Sequence, residues 1–220
     1  MFIERLISPV VPTLLPTDTG SRALSLMEAN NLAQLPLLTG GKYTALVQER
    51  ALLDWQTPER PLSGADFLQY RPAVFAFGHP FDALRVAHIH NLDIVPVVDK
   101  TDNYLGAITR DNLLRFVTEN AGLDNPGGII VLEIAPHNYS LAEIARICEH
   151  EDVVVVSSQL YTEAETGMLR VTLKTDRTDL GGLVDSFGRH GYRVCEVFGE
   201  QGAQEDMLGR YQLLMSYINM

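Results

Sequence analysis

A short polar segment at residues 106–112 has the residue types of a small-molecule site. Gly106 and Thr109 stand at the end of a predicted strand, and Asp111 and Asn112 open the helix that follows. The hydroxyl group and the backbone N–H groups of a helix N-terminus are donors that favour an anion. A carboxylate in the first helical turn can accept hydrogen bonds from two neighbouring hydroxyl groups. The segment could therefore hold a ligand that carries an anionic group and a diol.

The same residues also have a purely structural interpretation, in which Thr109 and Asp111 only cap a helix. Catalysis is not indicated, because the sequence lacks the phosphate-loop, zinc-protease, nucleophile-elbow and dinucleotide glycine motifs. A small enzyme would have to use Asp111 with His79, or His137 with Glu133. No nucleophile, base and orienting group accompany either pair. We expect no catalytic residues and no metal site.

The elements that position this segment are a short strand, a helix, two strands and a second helix, and the plan occurs twice. A shift of sixty residues places Pro36 on Pro96, and one extra turn residue makes the later shift sixty-one, which places Leu52 on Leu113. Both copies carry a helical stripe that we expect to face a core: Ala23, Leu26, Met27 and Asn30 in the first copy, and Ala83, Val86, Ala87 and His90 in the second. We expect each proline-containing strand to start at its proline or to have an open side there, and the next strand of the second copy to open with Gly106. The last helix of that copy is predicted over 112–120.

Two such copies in tandem resemble a CBS-domain pair, the regulatory module named after cystathionine β-synthase. The match is carried by 35–38, 95–99 and 106–109, and it extends over roughly the first 120 residues. In that family the hydroxyl residue contacts phosphate, and an aspartate three residues later contacts ribose. Here Thr109 matches, whereas Asn112 takes the aspartate position and Asp111 is one residue early.

The resemblance implies a nucleotide site in the second copy, made by Ala73, Ile94, Val95, Pro96, Gly106, Thr109, Asp111 and Asn112. The first four of these residues would line the base side. The first copy has Ala45, Gln48 and Ala51 at the motif positions. It lacks all three motif residues, so we expect at most one occupied site in the pair.

Residues 128–200 follow a different plan, β-α-β-β-α-β, which is the ferredoxin-like order. We expect Ser140 to cap the first helix, with Glu143 as its capping-box partner. The run 153–156 is predicted to be a strand buried on both faces. The order of the elements and the turn at 135–141 resemble an ACT domain, a small-ligand module of amino-acid metabolism. The resemblance implies a ligand site at Asn138, Tyr139, Ser140 and Leu141, with Asn138 where many such domains have glycine.

The predicted fold class is mixed α+β and α/β: two β-α-β-β-α units of a CBS pair and a ferredoxin-like ACT-like domain. The predicted organisation has five parts: repeat 1 at 1–60, repeat 2 at 61–122, a linker at 123–127, the ACT-like domain at 128–200 and a C-terminal helical tail at 201–220. Residues 1–11 are expected to pack beside the pair.

Charge and composition exclude several classes of partner. The net charge is −11, and the 17 Lys and Arg residues form no cluster of the kind that neutralises nucleic-acid phosphates. We therefore expect neither nucleic acid nor a membrane as a partner. We expect no signal peptide and no membrane span. The two cysteines, Cys148 and Cys195, are predicted to be buried free thiols in a reducing cytoplasm.

Together these features predict a cytoplasmic, non-catalytic regulatory protein, similar to CBS–ACT proteins of the acetoin-utilisation type. It would bind a small adenosyl ligand of the AMP, ATP, NAD or S-adenosylmethionine class and transmit a conformational signal. It would require no cofactor, although an adenine nucleotide could act as an effector. We expect a homodimer and an unknown protein partner. The alternative is a ligand-free assembly module that mediates oligomerisation.

Overall fold

The computed structural model describes residues 2–199, which form two compact units that divide between Phe116 and Val117. Unit 1 contains both repeats up to the middle of the last helix of repeat 2, whereas the sequence analysis places the linker at 123–127. Unit 2 contains the ferredoxin-like domain. The predicted tail at 201–220 lies outside the described residues. Within residues 2–199, no helix is both long and apolar enough to cross a membrane.

Repeat 1 is built from two helices and an antiparallel hairpin. Its elements are α1 (Gly20–Asn30), β1 (Gln34–Thr39), β2 (Lys42–Gln48) and α2 (Glu49–Leu53). Ala23 and Met27 on α1 are buried against the hairpin, as the helical stripe predicts. An isolated bridge between Leu14 and Leu37 stands where the leading strand of the plan would be.

Repeat 2 has the complete plan and confirms the predicted β-α-β-β-α unit. Its elements are β3 (Val74–Phe75), α3 (Pro80–His90), β4 (Ile94–Val98), β5 (Tyr104–Thr109) and α4 (Arg110–Asn120). In its sheet, β4 lies between β3, which runs parallel to it, and β5, which runs antiparallel. The last helix begins at Arg110, two residues before the predicted start, because Thr109 rather than Asp111 precedes its first turn.

The prolines lie where each strand has an open side, which is the second of the two arrangements expected. Pro36 and Pro96 are each the third residue of their strand, so the strands do not start there. The open side of β1 meets only Leu14, whose N–H donates to the Pro36 carbonyl and whose carbonyl accepts from Leu38 N–H, both at 2.8 Å. In repeat 2, β3 pairs with Val97 and Val98 but not with Pro96.

Two expectations about these elements are wrong. Gly106 is the third residue of β5 and does not open it. His90 is exposed at the end of α3, where its ring meets Tyr70, and it does not lie on the buried stripe.

The two repeats are joined by reciprocal backbone hydrogen bonds. Tyr43 N–H donates to the Asp102 carbonyl at 3.0 Å, and Tyr104 N–H donates to the Gly41 carbonyl at 3.1 Å. Tyr43 corresponds to Tyr104, and Gly41 to Asp102, in the sixty-one-residue shift. Exchanging the two repeats therefore turns one of these hydrogen bonds into the other. This is the behaviour of an approximate twofold axis that relates the two repeats of one chain.

The hydroxyl groups of this tyrosine pair differ, and the difference gives a stability prediction. Tyr43 donates to the Pro72 carbonyl at 2.9 Å, whereas the buried hydroxyl of Tyr104 has no hydrogen-bond partner within residues 2–199. Burial raises the pKa of both side chains above the ordinary value. We expect Tyr104→Phe to raise the free energy of unfolding by about 1 kcal/mol and Tyr43→Phe to lower it by about 1 kcal/mol. Urea unfolding measures both changes, and equal losses in the two variants would contradict the assignment.

Unit 2 confirms the predicted ferredoxin-like order. Its elements are β6 (Ile129–Ile134), α5 (Leu141–His150), β7 (Val155–Thr162), β8 (Leu169–Thr175), α6 (Gly181–Arg189) and β9 (Arg193–Phe198). The sheet order is β7-β8-β6-β9, and every neighbouring pair is antiparallel. Both helices contribute to one core with the sheet, in which Ile144 and Phe187 are fully buried.

Two predictions for unit 2 are wrong. The apolar run 153–156 is not a strand buried on both faces, because β7 begins at Val155, lies at the sheet edge and pairs only with β8. Its residues 158–162 are exposed, and so is Val154. The second error concerns the thiols: Cys148 is buried and its pKa is raised to about 11 by burial, but Cys195 on β9 is only half-buried.

Candidate functional site

A cavity of about 430 Å³ in unit 1 contains the polar end of repeat 2. Its lining comes from the N-terminal segment (residues 2–11), the end of α1, the residue before β4 and the start of α4. The lining residues are Ser8, Val10, Val11, Asn30, Asn31, Leu32, Asp93, Thr109, Arg110 and Asp111. The structure thus places two of the predicted site residues, Thr109 and Asp111, in one cavity.

Thr109 caps α4 from its position at the end of β5. Its Oγ1 atom accepts a hydrogen bond from Asn112 N–H at 3.2 Å. A hydroxyl group can accept and donate at the same time, so the proton of this group can still be donated to a ligand. Capping and ligand binding are therefore compatible roles for Thr109.

The charged groups of the cavity leave one carboxylate without a partner. Arg110 forms an ion pair with Asp93 at 3.0 Å, and the other carboxylate oxygen of Asp93 accepts from Ala33 N–H at 3.2 Å. Asp111 is exposed in the first turn of α4, and its carboxylate makes no hydrogen bond or ion pair within residues 2–199. The cavity therefore carries a net negative charge, located at Asp111.

Both polar atoms of the Asn112 side chain form hydrogen bonds with other residues of the protein. Its Nδ2 atom donates to the Leu6 carbonyl at 2.8 Å, and its Oδ1 atom accepts from Arg115 at 2.7 Å. The first contact ties the N-terminal segment to α4. Both ends of the amide are therefore used, and Asn112 does not line the cavity.

The remaining predicted residues of repeat 2 lie outside the cavity lining. Ile94, Val95 and Pro96 are buried within the sheet, and Ala73 is half-buried. Gly106 makes room for the N-terminal segment: a Cβ atom at this position would lie 2.3 Å from Cγ2 of Ile7. Two residues of the predicted site therefore hold the N-terminal segment in place. Gly106 leaves room for Ile7, and Asn112 bonds the Leu6 carbonyl. Neither role was predicted from the sequence.

The positions that correspond to this lining when the two repeats are exchanged carry larger side chains. Tyr70 takes the place of Val10, His90 that of Asn30, and Gln48 that of Thr109. The Tyr70 and His90 rings meet edge to face with centroids 5.8 Å apart. Burial raises the pKa of Tyr70, and a side-chain hydrogen bond with Gln48 opposes that shift. The Tyr70 ring therefore contacts His90, and its hydroxyl group bonds Gln48.

The turn of unit 2 that was predicted to bind a ligand is a single turn of 3₁₀ helix followed by a helix cap. Asn138 belongs to that turn, Pro136–Asn138, and its φ is not positive. Ser140 Oγ accepts from Glu143 N–H at 3.2 Å, which confirms the predicted cap. The Glu143 carboxylate does not complete a capping box but pairs with Arg146 at 2.6 Å. Tyr139 packs against the core, and Leu141 is exposed.

One member of each residue pair of the enzymatic alternative is engaged elsewhere. His79 caps α3, with Nδ1 accepting from Phe81 N–H at 3.2 Å. Glu133 bonds Arg193 at 2.6 Å and Arg170 at 3.1 Å. No hydrogen bond in the described part of the chain joins His79 to Asp111 or His137 to Glu133. Within the same residues, no group of three or more His, Cys, Asp and Glu side chains is placed to hold a metal ion.

Comparison with solved structures finds CBS-domain proteins. A "CBS domain pair/ACT domain protein" from Thermotoga maritima is 18% identical with a TM-score of 0.48, covering 54% of this chain and 98% of that chain. A protein described as an acetoin utilization protein, AcuB, from Vibrio cholerae is 25% identical with a TM-score of 0.48, covering 56% of this chain and 95% of that chain. CBSX2, solved in complex with AMP, is 20% identical with a TM-score of 0.46, covering 54% of this chain and 96% of that chain. No family model matches the chain.

Proposed function

We propose that this protein is a non-catalytic regulator that binds one adenosine-containing ligand in the cavity of repeat 2. The observation that supports it most is the placement of Thr109 and Asp111 in one cavity of about 430 Å³. Ligand pockets usually measure about 300–1,000 Å³. The carboxylate suits a ribose diol, and the hydroxyl group at the α4 N-terminus suits a phosphate. Val10, Val11 and Leu32 supply an apolar wall for the base.

The charges of the cavity narrow the class of adenosyl ligand. Arg110 is already neutralised by Asp93, so the unpaired carboxylate of Asp111 dominates the local field. A triphosphate brings several negative charges toward that carboxylate, and their repulsion opposes binding. We expect adenosine, AMP or S-adenosylmethionine to bind more tightly than ATP.

The N-terminal segment supplies the proposed route for the signal. Ser8, Val10 and Val11 line the cavity, and Leu6 in the same segment accepts the hydrogen bond from Asn112. A ligand that moves the cavity wall would therefore also move the N-terminal segment, which is bonded to α4 of repeat 2. A difference in affinity between two positions of this segment would shift their populations and could be sensed by a protein partner or by a second subunit.

The experiment that tests the proposal is a calorimetric and thermal-shift panel of AMP, ADP, ATP, NAD, S-adenosylmethionine and amino acids. Ligand at one hundred times its dissociation constant should add about 2.7 kcal/mol to the stability. We expect one site per chain, because Tyr70, His90 and Gln48 stand at the positions that correspond to the cavity lining when the repeats are exchanged. Absence of any shift would reject the proposal.

Removal of the unpaired carboxylate gives the sharpest variant of this test. We expect Asp111→Asn to weaken binding of the best adenosyl ligand by about tenfold, because the charge-assisted bonds to the ribose are lost. The fold should be unaffected, since Asp111 is exposed and unpaired. Asp82→Asn is the matched control, because it removes an exposed carboxylate from the first turn of α3. Equal affinities in the two variants would place the ligand elsewhere.

A ligand-free assembly module is the second candidate, and the bonding of Asn112 favours it. Asn112, at the ribose position of the motif, forms hydrogen bonds with Leu6 and Arg115, so its amide is not available to a ligand. In that case the oligomer, which we propose to be a homodimer, would be the functional unit. Sedimentation at several concentrations would detect the dimer, and no compound of the panel would change its dissociation constant.

For unit 2 we propose an ACT-like regulatory role, supported by the βαββαβ order and by the capped turn before α5. A ligand of amino-acid size would contact the segment 138–141. Calorimetry with amino acids alone separates this proposal from the nucleotide site, because heat from an amino acid should persist in Asp111→Asn.

A further inference from the structure

A second and larger cavity lies in unit 1, beside repeat 1. Its volume is about 610 Å³, and it shares no lining residue with the cavity of repeat 2. The lining comes from the end of α2 and from the connector that leads to repeat 2. The lining residues are Ala51, Asp54, Trp55, Gln56, Thr57, Gly64, Asp66 and Phe67.

Two aromatic rings form a corner of this cavity. The ring planes of Trp55 and Phe67 are nearly perpendicular, at 88°, and their centroids are 5.6 Å apart. Both side chains are half-buried, so each ring retains a surface that a ligand can reach. The face of an aromatic ring is negative, and a cation within about 6 Å of its centroid is attracted to it. The edge of one ring lies against the face of the other, so the ring faces that remain open are the surfaces available to a cation.

Carboxylates stand next to both rings in the sequence. Asp54 precedes Trp55, and Asp66 precedes Phe67. Both carboxylates are exposed, and neither makes a side-chain hydrogen bond or an ion pair in the part of the chain that the structure describes. The lining contains no Lys, Arg or His. The cavity therefore carries two negative charges that no residue of its lining neutralises.

We infer that this cavity binds a small organic cation with alkyl groups on its charged atom, such as a quaternary ammonium or a sulfonium ion. The carboxylates attract the charge, and the ring faces contact the alkyl groups, which carry part of that charge. A hydrated metal ion would gain little from the rings. An anion would be repelled by Asp54 and Asp66. This inference does not depend on the proposed nucleotide site.

The chain contains a single tryptophan, so its fluorescence reports on this cavity alone. The test is a titration of the full chain with choline chloride and with tetramethylammonium chloride, against sodium chloride at the same concentration. The neutral isostere of choline, in which carbon replaces the ammonium nitrogen, is titrated in parallel. We expect a saturable change in Trp55 emission with both cations and at least about tenfold weaker binding of the isostere.

Charge-removing variants test whether the carboxylates act as proposed. The double variant Asp54→Asn with Asp66→Asn should bind choline at least about tenfold more weakly and should keep its thermal midpoint. Glu49→Gln is the matched control, because it removes an exposed carboxylate outside the cavity, at the start of the helix α2 that Asp54 follows. Phe67→Leu should weaken binding while it retains an apolar side chain.

Three results would overturn the inference. The first is an emission change that does not saturate or that sodium chloride reproduces. The second is equal affinity for choline and its neutral isostere, which would make the cavity an apolar site without charge selection. The third is unchanged choline affinity in the double variant, which would place the cation away from the two carboxylates.

Discussion

Gly106→Ala should lower the free energy of unfolding by about 3 kcal/mol. The φ angle of Gly106 is +144°, a region that residues with a Cβ atom rarely adopt, and a strained backbone conformation costs about 1–3 kcal/mol. The new Cβ atom would also lie 2.3 Å from Cγ2 of Ile7, so the N-terminal segment would have to move. Equilibrium unfolding in urea measures the change.

Gly41→Ala separates the two causes of this loss. Gly41 also has a positive φ, +80°, but nothing lies within 4 Å of the position that a Cβ atom would take there. Backbone strain alone should cost about 1–2 kcal/mol at this residue. In the cycle of Gly106→Ala with Ile7→Ala, the double variant should lose less than the sum of the single losses, since the clash is absent. Additive losses would show that Ile7 does not pack against Gly106.

Asn112→Asp should lower the free energy of unfolding by about 2–3 kcal/mol at neutral pH. The variant introduces the aspartate that the resemblance to CBS domains implies at this position, but a carboxylate cannot donate to the Leu6 carbonyl that accepts from Asn112 at 2.8 Å. Two acceptors would then face each other in a partly buried position. The contact with Arg115 is kept, because it uses the oxygen of Asn112.

The expected loss arises from the contact with Leu6 and not from a new carboxylate alone. Asn30→Asp is the matched control, because the Asn30 amide makes an exposed bond of 2.8 Å to the Leu26 carbonyl within α1. A loss in the control as large as that of Asn112→Asp would remove the special role of the Leu6 contact.

The repeat plan was predictable because periodic apolar residues define helices and strands locally. Ala23 and Met27 on α1, or the alternating residues of β8, need no knowledge of distant parts of the chain. The position of β7 was not predictable, because a short apolar run has the same composition in a central strand and at a sheet edge. The burial pattern of that strand depends on which strands pair with it.

The cavity of repeat 2 was predictable only in part. Thr109 and Asp111 follow from a motif within one segment of the chain. The role of Asn112 depends on a residue 106 positions away, Leu6, and no local pattern signals that contact. The difference between the repeats was visible in the sequence at Ala45, Gln48 and Ala51. The sequence alone does not show that Tyr70 meets His90 and Gln48.

The packing of the N-terminal segment constrains the order in which the protein can fold during synthesis. Ser8 N–H donates to the Ala107 carbonyl at 2.8 Å, and Ile3 is fully buried in the core of repeat 2. These residues leave the ribosome before their partners in repeat 2, and Ala107 emerges about one hundred residues after Ser8. Closing so long a loop costs entropy before any contact compensates it, which slows folding. The apolar side chain of Ile3 therefore stays uncovered until repeat 2 has been synthesised, a period in which a chaperone could bind it.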